Sequence, residues 1–232
     1  MNAVKSLIFA IIDFFYPPVC IVCNSDRIPR SEKVCPQCWE SIPRMTQNML
    51  QYKELCEILV RKKSAHELIS CFLFTREGAY RHIIHALKYQ KFRSIGIRLG
   101  QIIGIKLLDQ HSEFDIIVPV PLHRVKLRER GYNQSDLIAQ GISSIFHKPI
   151  VSGCLRRMKN TASQTTLSIE DRQQNMKNAF IILPKQEHYV KAKSCLLVDD
   201  IITTGATVRA CIAVLRRAGA ARIIVVSSAL AE

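Results

Sequence analysis

Apolar positions along this chain come in two rhythms that alternate. Short runs rich in β-branched and aromatic residues read as strands: Ile69–Phe74, Asp115–Val120, Ala179–Leu183, Cys195–Val198 and Ile223–Ser227. Pro119 and Pro121 close the second of these runs. Between the strands lie stretches whose apolar residues recur with helical spacing: Tyr80–Tyr89, Ser94–Leu108, Gln134–Phe146 and Thr207–Ala218. Residues 46–66 read as a more polar helix, and residues 152–177 are polar without a period, which predicts a long mobile loop. Strands alternating with helices predict an α/β fold around a parallel sheet.

The first residues carry a different pattern. Leu7, Ile8, Ile11, Ile12 and Phe15 share one helical face, and Pro17 and Pro18 stop the helix expected over residues 1–19. The run is interrupted by Asp13 and falls well short of the roughly 20 apolar residues that span a bilayer. No small-residue cleavage site follows, so neither a membrane span nor export is expected, and the location is expected to be cytoplasmic. With 232 residues, 48% of them hydrophobic, the chain is long enough for one ordinary domain plus an appendage. Residues 1–50 are expected to form the helix and a metal module, and residues 51–232 the main domain.

Nine cysteines are many for a chain without an export signal. Reduced thiols or metal ligands are therefore expected rather than disulfides. Cys20-x-x-Cys23 and Cys35-x-x-Cys38 make two knuckles separated by eleven residues. Two such pairs can close a tetrahedral four-thiolate site around Zn²⁺, in the manner of a zinc ribbon, with no coordination position left for substrate, which makes it structural. A pair of redox C-x-x-C motifs is the rival reading, but neither pair opens a helix after a thioredoxin-like strand. Cys195 and Cys211 lie in apolar patterns and read as small core residues.

The sharpest chemical pattern is Leu196–Val208, LLVDDIITTGATV. An apolar strand runs into Asp199 and Asp200, followed by Thr203, Thr204, Gly205, Ala206 and Thr207 as a helix begins. In open α/β sheets ligands bind at the carboxyl ends of strands. Two carboxylates there can accept hydrogen bonds from a ribose diol. The following loop can wrap a phosphate at the helix N-terminus, where free N–H groups and the helix dipole favour an anion. Gly205 removes the Cβ that would block close approach of the backbone. No lysine follows the glycine, so this is not a P-loop.

Residues 196–208 resemble the signature loop of type I phosphoribosyltransferases, enzymes of 5-phosphoribosyl-1-diphosphate (PRPP). The resemblance implies a Rossmann-like parallel sheet, with Asp199 and Asp200 on the ribose hydroxyls and Thr203, Thr204, Gly205, Ala206 and Thr207 around the 5-phosphate. Further segments, IIHALKYQKF (83–92), VPVPLHRVKLRERGYNQSDLIA (118–139) and SQTTLSIEDRQQNMKNAF (163–180), are similar, together with CIVC and CPQC, to the ComF family. These are phosphoribosyltransferase-like proteins linked to natural competence. Thr166 and Asn178 stand where members of the family often carry glycine. Read from their charge and position, Arg128 and Arg130 in the basic run 121–132 and Lys88 near a helix end are candidates for the diphosphate, whose charge Mg²⁺ is expected to neutralise. The resemblance also implies that a loop bearing Gln164, Arg172 and Asn175 closes over the ligand. Arginine suits diphosphate because its fork makes paired, charge-assisted hydrogen bonds. No strong general base stands out in the sequence.

Charge adds a partner. Thirty-three Lys and Arg against nineteen Asp and Glu leave the chain at +14, which calls for an anionic partner. Residues 76–106 hold seven basic residues against one acidic, and residues 121–177 hold ten against four. That exceeds the need of one diphosphate. It suits a groove for single-stranded DNA, with Tyr80, Tyr89, Phe92 and Tyr132 available for stacking. Three functions stand open at this point: a competence factor working with other DNA-uptake proteins, a salvage phosphoribosyltransferase acting on a nucleobase, and a PRPP sensor. With its last expected strand close to Glu232, the chain is expected to lack a C-terminal hood for a base.

Overall fold

Strands that are apolar on both faces have to be covered on both sides, and the helices of this chain divide accordingly. The computed structural model describes residues 17–26, 28–61, 64–158 and 179–232. Residues 1–16 of the N-terminal helix expected over residues 1–19, and the loop residues Gln164, Arg172 and Asn175, lie outside that range. The elements are α1 (Pro36–Glu40), α2 (Leu50–Cys56), β1 (Glu67–Phe74), α3 (Ala79–Tyr89), α4 (Arg93–Asp109), β2 (Ile116–Pro119), α5 (Arg124–Arg130), α6 (Gln134–Phe146), β3 (Leu155–Arg157), β4 (Phe180–Ile182), β5 (Ser194–Ile202), α7 (Ala206–Arg217) and β6 (Arg222–Ala231). A π-helical turn, Glu57–Arg61, extends α2, and a 3-10 turn, Pro184–Tyr189, precedes β5.

The main sheet has the order β1-β6-β5-β2, and every pairing in it is parallel. Leu196, Val198, Ile224 and Val226 face a layer made by α3, α4 and α6, with Ile83, Leu87, Leu99, Ile103, Ile138 and Ile142 buried in it. The intervening residues Leu197 and Val225 face the other way, onto Val208, Ile212 and Leu215 of α7 and onto Leu55 and Leu59 of the α2 segment. The period of two along each strand thus sorts the core into two layers. Within the first layer α4 and α6 cross at backbone distance. A Cβ on Gly100 would stand 2.0 Å from the Ile138 carbonyl oxygen, and one on Gly141 would stand 2.1 Å from that of Ile97.

The cysteine module is built into the same core. Cys20, Cys35, Cys38 and Ile42 belong to one buried cluster with Ile69, Phe72 and Tyr80. Its exit strand pairs with the sheet: Arg44 bridges Phe72 in antiparallel fashion, Met45 N–H donates to Cys71 O at 2.9 Å, and Leu73 N–H donates to Pro43 O at 2.9 Å. At the opposite side of the sheet, Ile117 is bridged by Ile150, between N–H bonds to Pro149 and from Val151.

Several expectations need correction. The strand expected to end at Val198 runs on to Ile202, so both aspartates lie inside β5. The basic stretch 121–132, between the expected strand and the expected helix and given no element of its own, contains α5, which begins after Pro121 and is closed by Gly131 at φ +77°. Residues 155–157, expected in a loop, form β3, which pairs antiparallel with β4 as a separate ribbon. Among the described residues, no helix is long and apolar enough to cross a membrane.

Candidate ligand site at the carboxyl edge of the sheet

Period two turns the Asp200 side chain toward the α3 layer, the layer that Val198 also faces. Lys88, in the last turn of α3, reaches it: Nζ lies 2.8 Å from Asp200 Oδ2. The other carboxylate oxygen accepts the Ile201 N–H at 2.8 Å. Asp199 Oδ1 accepts the Asp200 N–H at 2.9 Å and faces the Ser135 hydroxyl at 3.4 Å. The Asp199 carboxyl is pushed well above the ordinary carboxylate range, first by burial and then by the negative charge of Asp200, with Lys88 acting the other way.

The chain after β2 brings in the basic side. Asn133 caps α6, its Oδ1 accepting the Ser135 N–H at 3.4 Å, while its Nδ2 donates to Val120 O at 3.0 Å and ties the helix start to the end of β2. Of the two arginines singled out above, Arg130 turns inward and Arg128 is exposed. The Arg130 guanidinium lies 5.4 Å from the centre of the Tyr89 ring and donates from Nη1 to Gln134 Oε1 at 2.8 Å. Its Nε and the Gln134 Nε2 are buried donors without an acceptor among the described residues. An unsatisfied guanidinium N–H at the end of α5 and an unsatisfied amide N–H in the first turn of α6 together form an anion-seeking spot. The Tyr132 hydroxyl donates to Leu87 O, and Arg93 stacks on the Tyr132 ring at 5.2 Å. Tyr132 thereby holds the end of α3 against the start of α6.

The loop from Thr203 to Gly205 follows β5. Thr203 and Thr204 are exposed, and Gly205 takes a left-handed φ of +70° as the residue before α7. A side chain there would be strained by φ and would meet Leu55 Cδ2 at 3.0 Å. Thr204 Oγ1 accepts the Ala206 N–H at 3.4 Å, and no side chain caps α7 from the Gly205 position. Thr207 is half-buried in the first turn of α7. The sequence reading missed Ser135, Gln134 and Ser228, single polar residues whose importance comes from tertiary placement and leaves no spacing signal, and it offered Tyr80 and Tyr132 for stacking on DNA although both are buried, 2% and 7% exposed.

The four cysteines converge as their spacing predicts. The sulfurs of Cys20, Cys23, Cys35 and Cys38 lie within 4.8 Å of one another, and Cys23 Sγ is 3.7 Å from Cys35 Sγ. A tetrahedral zinc with bonds of about 2.3 Å sets its sulfurs about 3.8 Å apart, so the donor set fits that ion. The Cys35 N–H donates to Cys20 Sγ at 3.3 Å. Burial works against ionising Cys20, but N–H groups of Cys35, Cys23 and Val22 outweigh it and bring the thiol down to about 6. Cys38 is pushed far up, by burial and then by its thiol neighbours. Four thiolates crowded together need a cation to ionise jointly, which is the service a structural zinc supplies. Cys195 and Cys211 are fully buried in the sheet core, as their apolar settings predict.

Comparison with known proteins agrees with both parts. Residues 137–231 match the phosphoribosyl transferase domain, and residues 11–57 match the double zinc ribbon domain. The chain is 33% identical over 146 residues to Competence protein F of Haemophilus influenzae, covering 61% of this chain and 63% of that protein. It is 35% identical over 146 residues to the DNA utilization protein YhgH of Escherichia coli K12, with the same coverage, 61% and 63%. The matched region thus spans under two thirds of those relatives. Competence protein ComFC of Bacillus subtilis is 22% identical over 223 residues, 82% of this chain and 85% of that one. Among solved structures, glutamine PRPP amidotransferase from B. subtilis aligns with a TM-score of 0.42 at 23% identity, over 57% of this chain and 26% of that one. Adenine phosphoribosyltransferase from Leishmania tarentolae aligns with a TM-score of 0.41 at 11% identity, over 81% and 90%.

Proposed function

Belonging as it does to the ComF family of phosphoribosyltransferase-like proteins, this chain has, we propose, a working site for PRPP with Mg²⁺ at the carboxyl edge of its sheet, and it handles single-stranded DNA during DNA uptake in the cytoplasm. The observation that carries the PRPP reading is the pairing of two opposite demands at one edge. Asp199 and Asp200 offer acceptors, while Arg130 Nε, at the end of α5, and Gln134 Nε2, in the first turn of α6, are buried donors with no acceptor among the described residues. A ribose diol beside a diphosphate satisfies both at once.

In this reading Asp199 and Asp200 accept hydrogen bonds from the ribose hydroxyls. Thr203, Thr204, Gly205, Ala206 and Thr207 hold the 5-phosphate at the α7 N-terminus. Arg130, with Gln134 and the first turn of α6, takes the diphosphate, and Arg128 approaches from the exposed side of α5. Lys88 leaves Asp200 to neutralise the incoming anion. Mg²⁺ supplies charge neutralisation on the diphosphate when bound, held mainly by ligand oxygens and water.

The DNA reading is supported by the names of the relatives, which concern competence and DNA utilization, and by the surplus of positive charge. α5 alone displays Arg124, Lys126 and Arg128 on its exposed side. Phosphate contacts by such residues give sequence-independent affinity that falls steeply with salt.

Calorimetric titration with PRPP and Mg²⁺ tests the first part: binding is expected for the wild type and not for the variant carrying both Asp199→Ala and Asp200→Ala. Equal binding in that variant overturns the assignment. For the second part, fluorescently labelled single-stranded DNA is expected to bind with strong salt dependence, weakened when Arg124, Lys126 and Arg128 become glutamine. Affinity unmoved by either salt or those changes rules the surface out.

A further inference from the structure

Asp200 is held by more than its carboxylate. Its backbone carbonyl accepts a hydrogen bond from the Ser228 hydroxyl, and Ser228 Oγ in turn accepts one from the Tyr80 hydroxyl at 2.5 Å. All three sit in the layer between the sheet and α3, because Ser228 follows Ile224 and Val226 in the period of two on β6. The registers mark this point. Pairing of β5 with β6 passes from Asp199↔Ser227 to Ile201↔Ala229, and pairing of β1 with β6 passes from Ser70↔Ser227 to Phe72↔Ala229. Both ladders step over Ser228, and here a side chain supplies the hydrogen bond to the Asp200 carbonyl.

Tyr80 is unusual for a residue at the start of a helix. It is 2% exposed, and its ring is fixed from two sides, by Phe72 at 5.4 Å and by Phe74 at 6.2 Å edge-on. Phe72 is itself stacked on Trp39 of the cysteine module at 6.4 Å. Burial drives the hydroxyl well above the ordinary tyrosine range, so it remains a proton donor throughout the physiological range. A buried tyrosine whose only role is packing would be replaceable by phenylalanine. This one donates into a two-step chain of hydroxyls ending on the ligand-site aspartate, and such chains polarise and orient each other in a low dielectric.

We propose that Tyr80 is a positioning residue for the ligand site: through Ser228 it holds the Asp200 backbone, and so sets the direction in which the Asp200 carboxylate meets the ribose diol. This inference rests on the PRPP reading of the site. It adds to that reading a group that touches no ligand.

Tyr80→Phe keeps the ring in place and removes only the donor, and Ser228→Ala removes the intermediate hydroxyl. Each is expected to weaken PRPP·Mg²⁺ binding by about tenfold in calorimetric titration, the loss typical of one hydrogen bond in a buried setting. The double variant is expected to lose no more than either single one, because both act through the same chain. Losses that multiply, or a lowered Tm with unchanged affinity in both single variants, overturn the proposal and leave Tyr80 a packing residue. The ¹³C resonance of the Asp200 carboxyl, recorded without ligand, provides a second reading. It is expected to move in Tyr80→Phe and to stay in place in a Tyr189→Phe control at an exposed site. A wild type that binds no PRPP refutes the functional reading alone; positioning of Asp200 is then decided by that resonance, and an unmoved signal refutes it too.

Discussion

Lys88 Nζ lies 2.8 Å from Asp200 Oδ2, with 21% and 17% of the two side chains exposed. The pair joins the end of α3 to the end of β5, and neither charge has enough water to stand alone. Replacing Lys88 by Met keeps the length of the side chain and strands the carboxylate. We expect a loss of about 2–3 kcal/mol in urea unfolding, below the range for a fully buried pair because some water reaches both groups. Lys88→Arg, which keeps the charge, is expected to recover most of it.

Asp199 has a pKa raised by burial and by Asp200. The folded state therefore binds its proton more tightly than the unfolded chain does, so this residue favours folding in acid and that contribution is lost as pH rises through the raised value. Asp199→Asn removes the charge and is expected to make the ligand-free protein more stable than wild type at neutral pH, with a flatter stability profile from about pH 4 upward. The same variant is expected to bind PRPP poorly. Thermal melts across pH, with and without PRPP, check both halves.

Arg130 is buried, and its Nε has no acceptor among the described residues. Arg130→Met fills a similar volume without a desolvated charge. Unfolding free energy is expected to stay level or to rise by about 1 kcal/mol, while PRPP affinity falls by at least about tenfold. A variant that loses stability instead would mean the guanidinium serves the fold.

Gly100 and Gly141 let α4 and α6 cross at backbone distance. A methyl at Gly100 would sit 2.0 Å from a carbonyl oxygen, which no side-chain rotation can relieve. Gly100→Ala is expected to cost about 3 kcal/mol or more in denaturant unfolding, at the upper end for overpacking.

Metal removal should be felt beyond the cysteines. Because Pro43–Met45 pairs with β1 and Trp39 stacks on Phe72, chelation is expected to expose the amides of Met45 and Leu73 to hydrogen exchange along with those of residues 20–38. Exchange confined to residues 20–38 would show that the module and the sheet are independent.

Much of this arrangement was readable from the residues. The alternation of strand and helix periods located the parallel sheet, and the four cysteines converge as two C-x-x-C pairs should. What escaped was tertiary in origin. Arg130 and Arg128 look alike in a basic run, yet helix phase buries one and exposes the other, and without knowing that α5 exists the phase is unknowable. Tyr80 and Ser228 are 148 residues apart and meet only because β6 lies between β1 and β5. The strand continuing through Asp199 to Ile202 was masked by the two acids, since a charged pair usually signals that a strand has ended.

The bridges at Arg44–Phe72 and Ile117–Ile150 have a consequence for how this protein can meet others. They sit on the two outermost strands of the main sheet, on the carboxyl-terminal half of β1 and within the short β2, where an incoming strand would otherwise dock. Association by β-augmentation would first require peeling away Pro43–Met45 or Pro149–Val151. Along those stretches of the main sheet, recognition is a matter of side chains rather than of shared backbone.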